Sequence, residues 1–142
     1  MKTKKIIYEF LPKRISHRIS KGDDLSEIDL RDARMERADF RGATMRRANM
    51  CRAGLRGALF SGADLRGAHF WKADLAGCDF TDADLRGADL DYARIDGAVF
   101  HRARLDRADL PVDDFSPESI RKSVADKKAR PKRKSKKKRK VG

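Results

Sequence analysis

From Leu25 to Leu110 every fifth residue is large and apolar, without a slip, through Met35, Phe40, Leu55, Phe60, Phe80 and Phe100. Two residues before each of these, from Ala33 to Ala108, stands Ala, replaced only by Cys78. A period of five fits neither regular element. On an α-helix it would carry the apolar residues round every face, and along one strand it would throw them to alternate sides. A short extended piece followed by a corner, repeated, satisfies it. Within each five, the Ala and the large residue point inward and the residue between them points out, as do Asp64, Asp74, Asp84 and Asp89. The other two residues make the bend, with Gly in the second place at 42, 57, 62, 67, 77, 87 and 97, where a tight corner uses its backbone freedom.

Units such as Ala63-Asp64-Leu65-Arg66-Gly67 and Ala83-Asp84-Leu85-Arg86-Gly87 resemble the A(D/N)LXX unit of pentapeptide repeat proteins. The resemblance covers residues 23–110 and implies an all-β fold, a right-handed quadrilateral β-helix. Four repeats, or twenty residues, then make one coil, and the chain holds about 4.5 coils. At roughly 4.8 Å between stacked strands the column stands about 22 Å tall. Residues twenty apart lie above one another, so Phe40, Phe60, Phe80 and Phe100 form one inward core ladder.

An open solenoid exposes unpaired edges at both ends, which invite aggregation unless covered. Residues 1–22 are read as a basic N-terminal capping segment, with Ile15 and Ile19 on one helical face and Pro12 interrupting what precedes them. The first repeats are irregular, with Asp23 and Ile28 in the Ala slot. Residues 111–126 are read as a C-terminal cap: Ser116-Pro117 has the character of an N-cap and first helical residue, and Ile120 and Val124 follow on one face.

Charge divides the chain in three. Residues 1–21 carry +6, residues 22–115 carry −4, and residues 116–142 carry +11, out of a net +13. Residues 127–142 form a polybasic tail too polar to pack a core and expected to be disordered alone. Its cations are Lys127, Lys128, Arg130, Lys132, Arg133, Lys134, Lys136, Lys137, Lys138, Arg139 and Lys140. With no interleaved aromatics, such a run binds polyanions by counterion release and reads no bases. Nucleic acid is the leading expectation, and an anionic membrane surface an alternative. No apolar run approaches the roughly twenty residues of a membrane span. Two cysteines cannot form a disulfide framework, which fits a reducing, cytoplasmic setting.

Catalytic chemistry finds no support in these residues. His17, His69 and His101 fall in separate segments or on separate sides, and no Ser/His/Asp grouping emerges, so neither enzyme, metal nor cofactor is expected. Cys78 is placed inside and Cys51 at a bend. A protein partner could use the basic column Arg46, Arg66 and Arg86 together with Trp71. Some pentapeptide repeat proteins mimic duplex DNA and bind DNA gyrase, so the resemblance also implies a topoisomerase modulator. Against that stand the arginine column and the eight Arg within residues 31–56.

Overall fold

The computed structural model describes residues 23–111. The capping segment 1–22, all but Pro111 of the segment 111–126, and the tail 127–142 lie outside the described residues.

The backbone winds into a stacked, four-sided coil. Parallel single-residue bridges join positions twenty apart, making four ladders of outward residues. Side one carries Asp24, Thr44, Asp64, Asp84 and Arg104; side two Asp29, Asn49, His69, Asp89 and Asp109. Side three carries Arg34, Gly54, Asp74 and Arg94; side four Asp39, Leu59, Asp79 and Val99. Within each side, one bridge joins each segment to the segment stacked on it in the next coil.

Why five residues close a side is visible in the fate of their amides. In the unit at 65–69, Leu65 N–H donates to Asp84 C=O in the next coil (2.8 Å), and Gly67 N–H to Arg86 C=O (3.0 Å). Ala68 N–H closes the corner on Leu65 C=O (3.0 Å), and His69 N–H reaches back to Ala48 C=O (2.9 Å). The fifth amide, that of Arg66, has no carbonyl to reach; the Asp64 side chain accepts it at 3.3 Å. An acid or amide at the outward position therefore completes the backbone accounting. The same bracket recurs at Asp24, Asp29, Asp39, Asn49, Asp74, Asp79, Asp84 and Asp89.

Every corner from residue 27 to residue 107 has a positive φ, between 54° and 72°, at its second turn residue. With the closing amide-to-carbonyl bond, this is the type II arrangement. Glycine meets it at seven corners, but Arg37, Arg47, Arg52, Tyr92 and Arg107 hold the same conformation despite their Cβ. The stacked amide ladder holds them there.

Inside, the large residues and the alanines form one continuous buried column from Ile28 to Leu110. Phe40, Phe60, Phe80 and Phe100 lie in a single stack, with successive centroids 5.0 Å apart and planes within 12°. Phe70 meets Phe60 and Phe80 edge-on at 6.0 Å. Each such ring contributes about 1.5–3 kcal/mol by burial, with a further contribution from ring geometry. Cys78 is fully buried, its thiol donating to Leu55 C=O (3.0 Å), and burial pushes its pKa up to about 12. Leu25 and Ala33, near the first coil's open edge, are only partly buried.

Candidate binding surface

Side one and its trailing corner hold a ladder of closed ion pairs. Wherever the repeat reads Asp, large residue, Arg, the arginine sits two residues after the acid, and its fork closes back on the carboxylate. Arg66 Nε and Nη2 lie 2.8 and 2.7 Å from the two oxygens of Asp64, and Arg86 makes the same fork on Asp84. Arg46 reaches down one coil to Asp64 (2.7 Å). The Arg66 fork, reinforced by Arg46, holds the Asp64 carboxyl well below the usual carboxylate range against the opposing effect of burial. Burial pushes Asp84 up, but Arg86 outweighs it and the net shift is down. Asp29 and Asp39 are clamped in the same way by Arg31 and Arg41.

A second kind of pair ties coil to coil at the corners. Arg52 forks onto Asp32 and Arg102 onto Asp82, each partner twenty residues away, and Arg47 meets Glu27 at 2.8 Å.

Side three differs. Arg56 and Arg94 approach Asp74 only at 3.5 and 3.9 Å, and Arg94 reaches Asp96 at 3.3 Å. Arg34 and Arg37 form no ion pair among the described residues. Along the corner that follows, Gly57, Gly77 and Gly97 stack with no side chains between them. A groove of about 400 Å³ opens there, lined by Arg37, Arg56, Gly57, Ala76, Gly77, Arg94 and Asp96.

Arg46, Arg66 and Arg86 stack on the corner after side one but turn toward its carboxylates. Trp71 stands on the next corner, with side two between them. It is half-buried rather than presented to solvent, edge-on to Tyr92 (6.4 Å) and beneath the Lys72 ammonium (4.7 Å). This lateral packing uses the ring on its own corner. Cys51, on the same corner, is also half-buried, and burial pushes its thiol pKa up. The eleven tail cations lie outside the described residues. The groove on side three was missed because sequence spacing shows where an arginine stands, not whether a carboxylate lies within its reach.

His69 is on side two and His101 on the corner after side four, each without a second histidine near it among the described residues. The carboxylates of Asp89, Asp91 and Asp109 each bring one oxygen to within 4.8 Å of the others. One Asp89 oxygen accepts the Asp91 amide (2.9 Å), the bracket found at the other corners. Among the described residues, no helix is long and apolar enough to cross a membrane.

The sequence matches the family described as Pentapeptide repeats in eight copies, over residues 24–57, 50–82 and 83–111. No curated protein is significantly similar in sequence. Among solved structures, the chain is similar to a pentapeptide repeat protein from the Arabidopsis thaliana thylakoid lumen, with a TM-score of 0.66 and 25% identity over 83% of this chain and 92% of that one. It is also similar to Rfr23, a pentapeptide repeat protein from the cyanobacterium Cyanothece 51142, with a TM-score of 0.59 and 26% identity. That match covers 60% of this chain and 58% of Rfr23, so the chain spans little more than half of that relative.

Proposed function

The chain belongs to the pentapeptide repeat family, and from that premise we propose that it is a non-catalytic binding and scaffold protein whose basic tail engages nucleic acid or a like polyanion. The observation that carries this reading is the contrast in charge pairing. Within the coil most arginines are closed onto carboxylates, eight of them at 2.6–2.8 Å. Residues 116–142 hold thirteen Lys/Arg against two acids. The coil is then a rigid body with most of its arginine charge neutralised, and the tail is a concentrated cation.

The same pairing weighs against a gyrase-directed DNA mimic. A mimic must present its carboxylates to a basic partner, whereas Asp64 and Asp84 already face guanidinia and bracket corner amides.

Binding of duplex DNA at about 50 and 200 mM salt, by the intact chain and by one lacking residues 127–142, tests the reading. With roughly eight of the tail's cations engaged, log K should fall against log salt with a slope of about −7, independent of base sequence. Exchanging Lys136, Lys137 and Lys138 for Gln should flatten that slope by up to about 3. Equal binding by intact and tail-deleted chains would remove the tail from the reading.

A further inference from the structure

We propose that the groove on the corner after side three seats the phosphate backbone of a nucleic acid, a second contact surface beside the tail. This inference deepens the polyanion reading and rests on it. Its basis is a coincidence of two independent features on one corner.

The first is cationic charge left unpaired at Arg34 and Arg37 and only loosely paired at Arg56 and Arg94. Of the arginines in the described coil, six lack a carboxylate within 3.2 Å, and Arg34, Arg37, Arg56 and Arg94 among them belong to side three and its trailing corner. The cause is register. Arg34 and Arg94 occupy the outward position where other repeats place the bracketing acid; two residues on, Glu36 forms no ion pair with Arg34, and Asp96 is reached by Arg94 only at 3.3 Å, without a fork. Arg37 occupies the second corner position, and beneath it in the next coil stands Gly57, where Asp32 and Asp82 are met by Arg52 and Arg102. The opposing carboxylates are Asp74, shared loosely by Arg56 and Arg94, and Asp96 at the lower rim. Glu36 lies over Gly54, its carboxylate 2.6 Å from where a Cβ would stand.

The second feature is access. Gly57 and Gly77 floor the groove, and Ala76 between them is covered by its neighbours to 7% exposure. A Cβ on Gly77 would come within 3.9 Å of the Gly57 amide nitrogen, so bare backbone is what a ligand meets there. A phosphate can approach such a floor closely while guanidinium forks take its oxygens from the walls. Arg37, Arg56 and Arg94 come from three different coils, so their charges are strung along the axis rather than focused on one point. An extended ligand with repeating charge fits that spacing. Among the described residues no aromatic ring lines the groove, so contact is to backbone and carries no base preference.

The experiment uses the full-length chain and a fluorescent oligonucleotide, read by anisotropy across a salt series, as single strand and as duplex. Arg37→Gly keeps the left-handed corner while removing the side chain; Arg56→Ala is the second variant. Each should flatten the salt slope by about 1 and weaken binding about fivefold to tenfold near 0.1 M salt, on every sequence alike. Asp96→Asn, which removes the rim carboxylate, should tighten binding, a sign that partial unfolding would not produce. Arg41→Gln, whose guanidinium is closed on Asp39, should leave binding unchanged. Thermal melts establish that all four variants fold. In ¹⁵N spectra the side-chain Nε–H signals of Arg37, Arg56 and Arg94 should shift on titration.

If Arg37→Gly and Arg56→Ala bind like the parent while the Lys136, Lys137 and Lys138 exchange flattens the slope, the groove proposal falls and the tail reading stands. The reverse result keeps the groove and removes the tail. Absence of binding by the parent chain overturns both. Poly-glutamate of equal charge bound with the same dependence on Arg37 and Arg56 would overturn the assignment to phosphate.

Discussion

Side one and side three are built from the same repeat and much the same residue types, yet their charges behave differently. On side one, Asp64 and Asp84 precede Arg66 and Arg86 by two positions, and each pair closes into a fork. On side three, Arg34 and Arg94 stand where those acids stand, and Asp74 is followed two residues on by Ala76. Its carboxylate brackets an amide and otherwise sits loosely between two guanidinia. Position within the five, more than composition, decides whether a charge is neutralised. Counting Asp and Arg along the chain therefore says little about the field the surface presents.

Both sides hang on the same interior column, so the largest effect should ignore the difference between them. Phe60→Ala or Phe80→Ala should cost about 3–5 kcal/mol in urea unfolding, through lost transfer energy and the cavity left in the stack. A cost below about 1 kcal/mol would mean that neighbouring coils close over the gap and that the two sides are not held by a common core.

The bare corner beside side three invites the next test. Gly77 has φ of +71°, so Gly77→Ala should lose about 1–2 kcal/mol from the strain of a Cβ there, although space for the atom exists. An unchanged urea midpoint would show that the stacked ladder absorbs left-handed residues at no cost.

Breaking a fork on side one should cost less. Asp64→Asn is expected to lose about 1 kcal/mol near neutral pH, because the pair is partly exposed and screened. The folded pKa of Asp64 lies below its unfolded value, so its contribution is present above the ordinary carboxylate range and fades as pH falls through and below it. Parent and variant should converge in stability at acid pH. A difference that persists undiminished there would mean that the asparagine fails for a reason other than charge.

The smallest expected effect is a gain. Arg107 holds φ of 62° and forms no ion pair among the described residues. Arg107→Gly should raise stability by about 0.5 kcal/mol through release of that strain, readable as a small rise in the thermal midpoint. A loss instead would show that its stem packs usefully against the coil.

These contrasts also separate what the sequence discloses from what it withholds. The coil is legible because its interior obeys a single rule: Ala, an outward residue, a large apolar residue, every five. Twenty-residue spacing places Phe40, Phe60, Phe80 and Phe100 in one column without reference to anything outside them. The outward acids are harder. Their regularity is visible, but their purpose is to accept the one amide per unit that no carbonyl reaches, and that emerges only when each backbone group is followed to its partner. Left-handed corners at Arg37, Tyr92 and Arg107 were illegible, since glycine marks only some of the corners and the strain is imposed by stacking. Trp71 was ambiguous for a related reason. Its burial depends on Tyr92, one coil away, and on the Lys72 side chain arching over the ring. The groove depends on partners that are missing for Arg37 and distant for Arg56 and Arg94, which no local motif records.

The one-bridge-per-side stacking has a consequence for how such a chain can change its length. All four sides share the same inward rule, so insertion or loss of five residues leaves the interior nearly as well filled as before, with only the ring stack interrupted. On the outside it turns everything downstream by a quarter of a revolution, carrying Arg94 and Asp96 away from Arg37 and Arg56. Loss or gain of twenty residues restores the alignment. Folding thus keeps count in fives and the surface pattern keeps count in twenties, so a lineage of such proteins can drift freely in height while any face in use confines its duplications to whole coils.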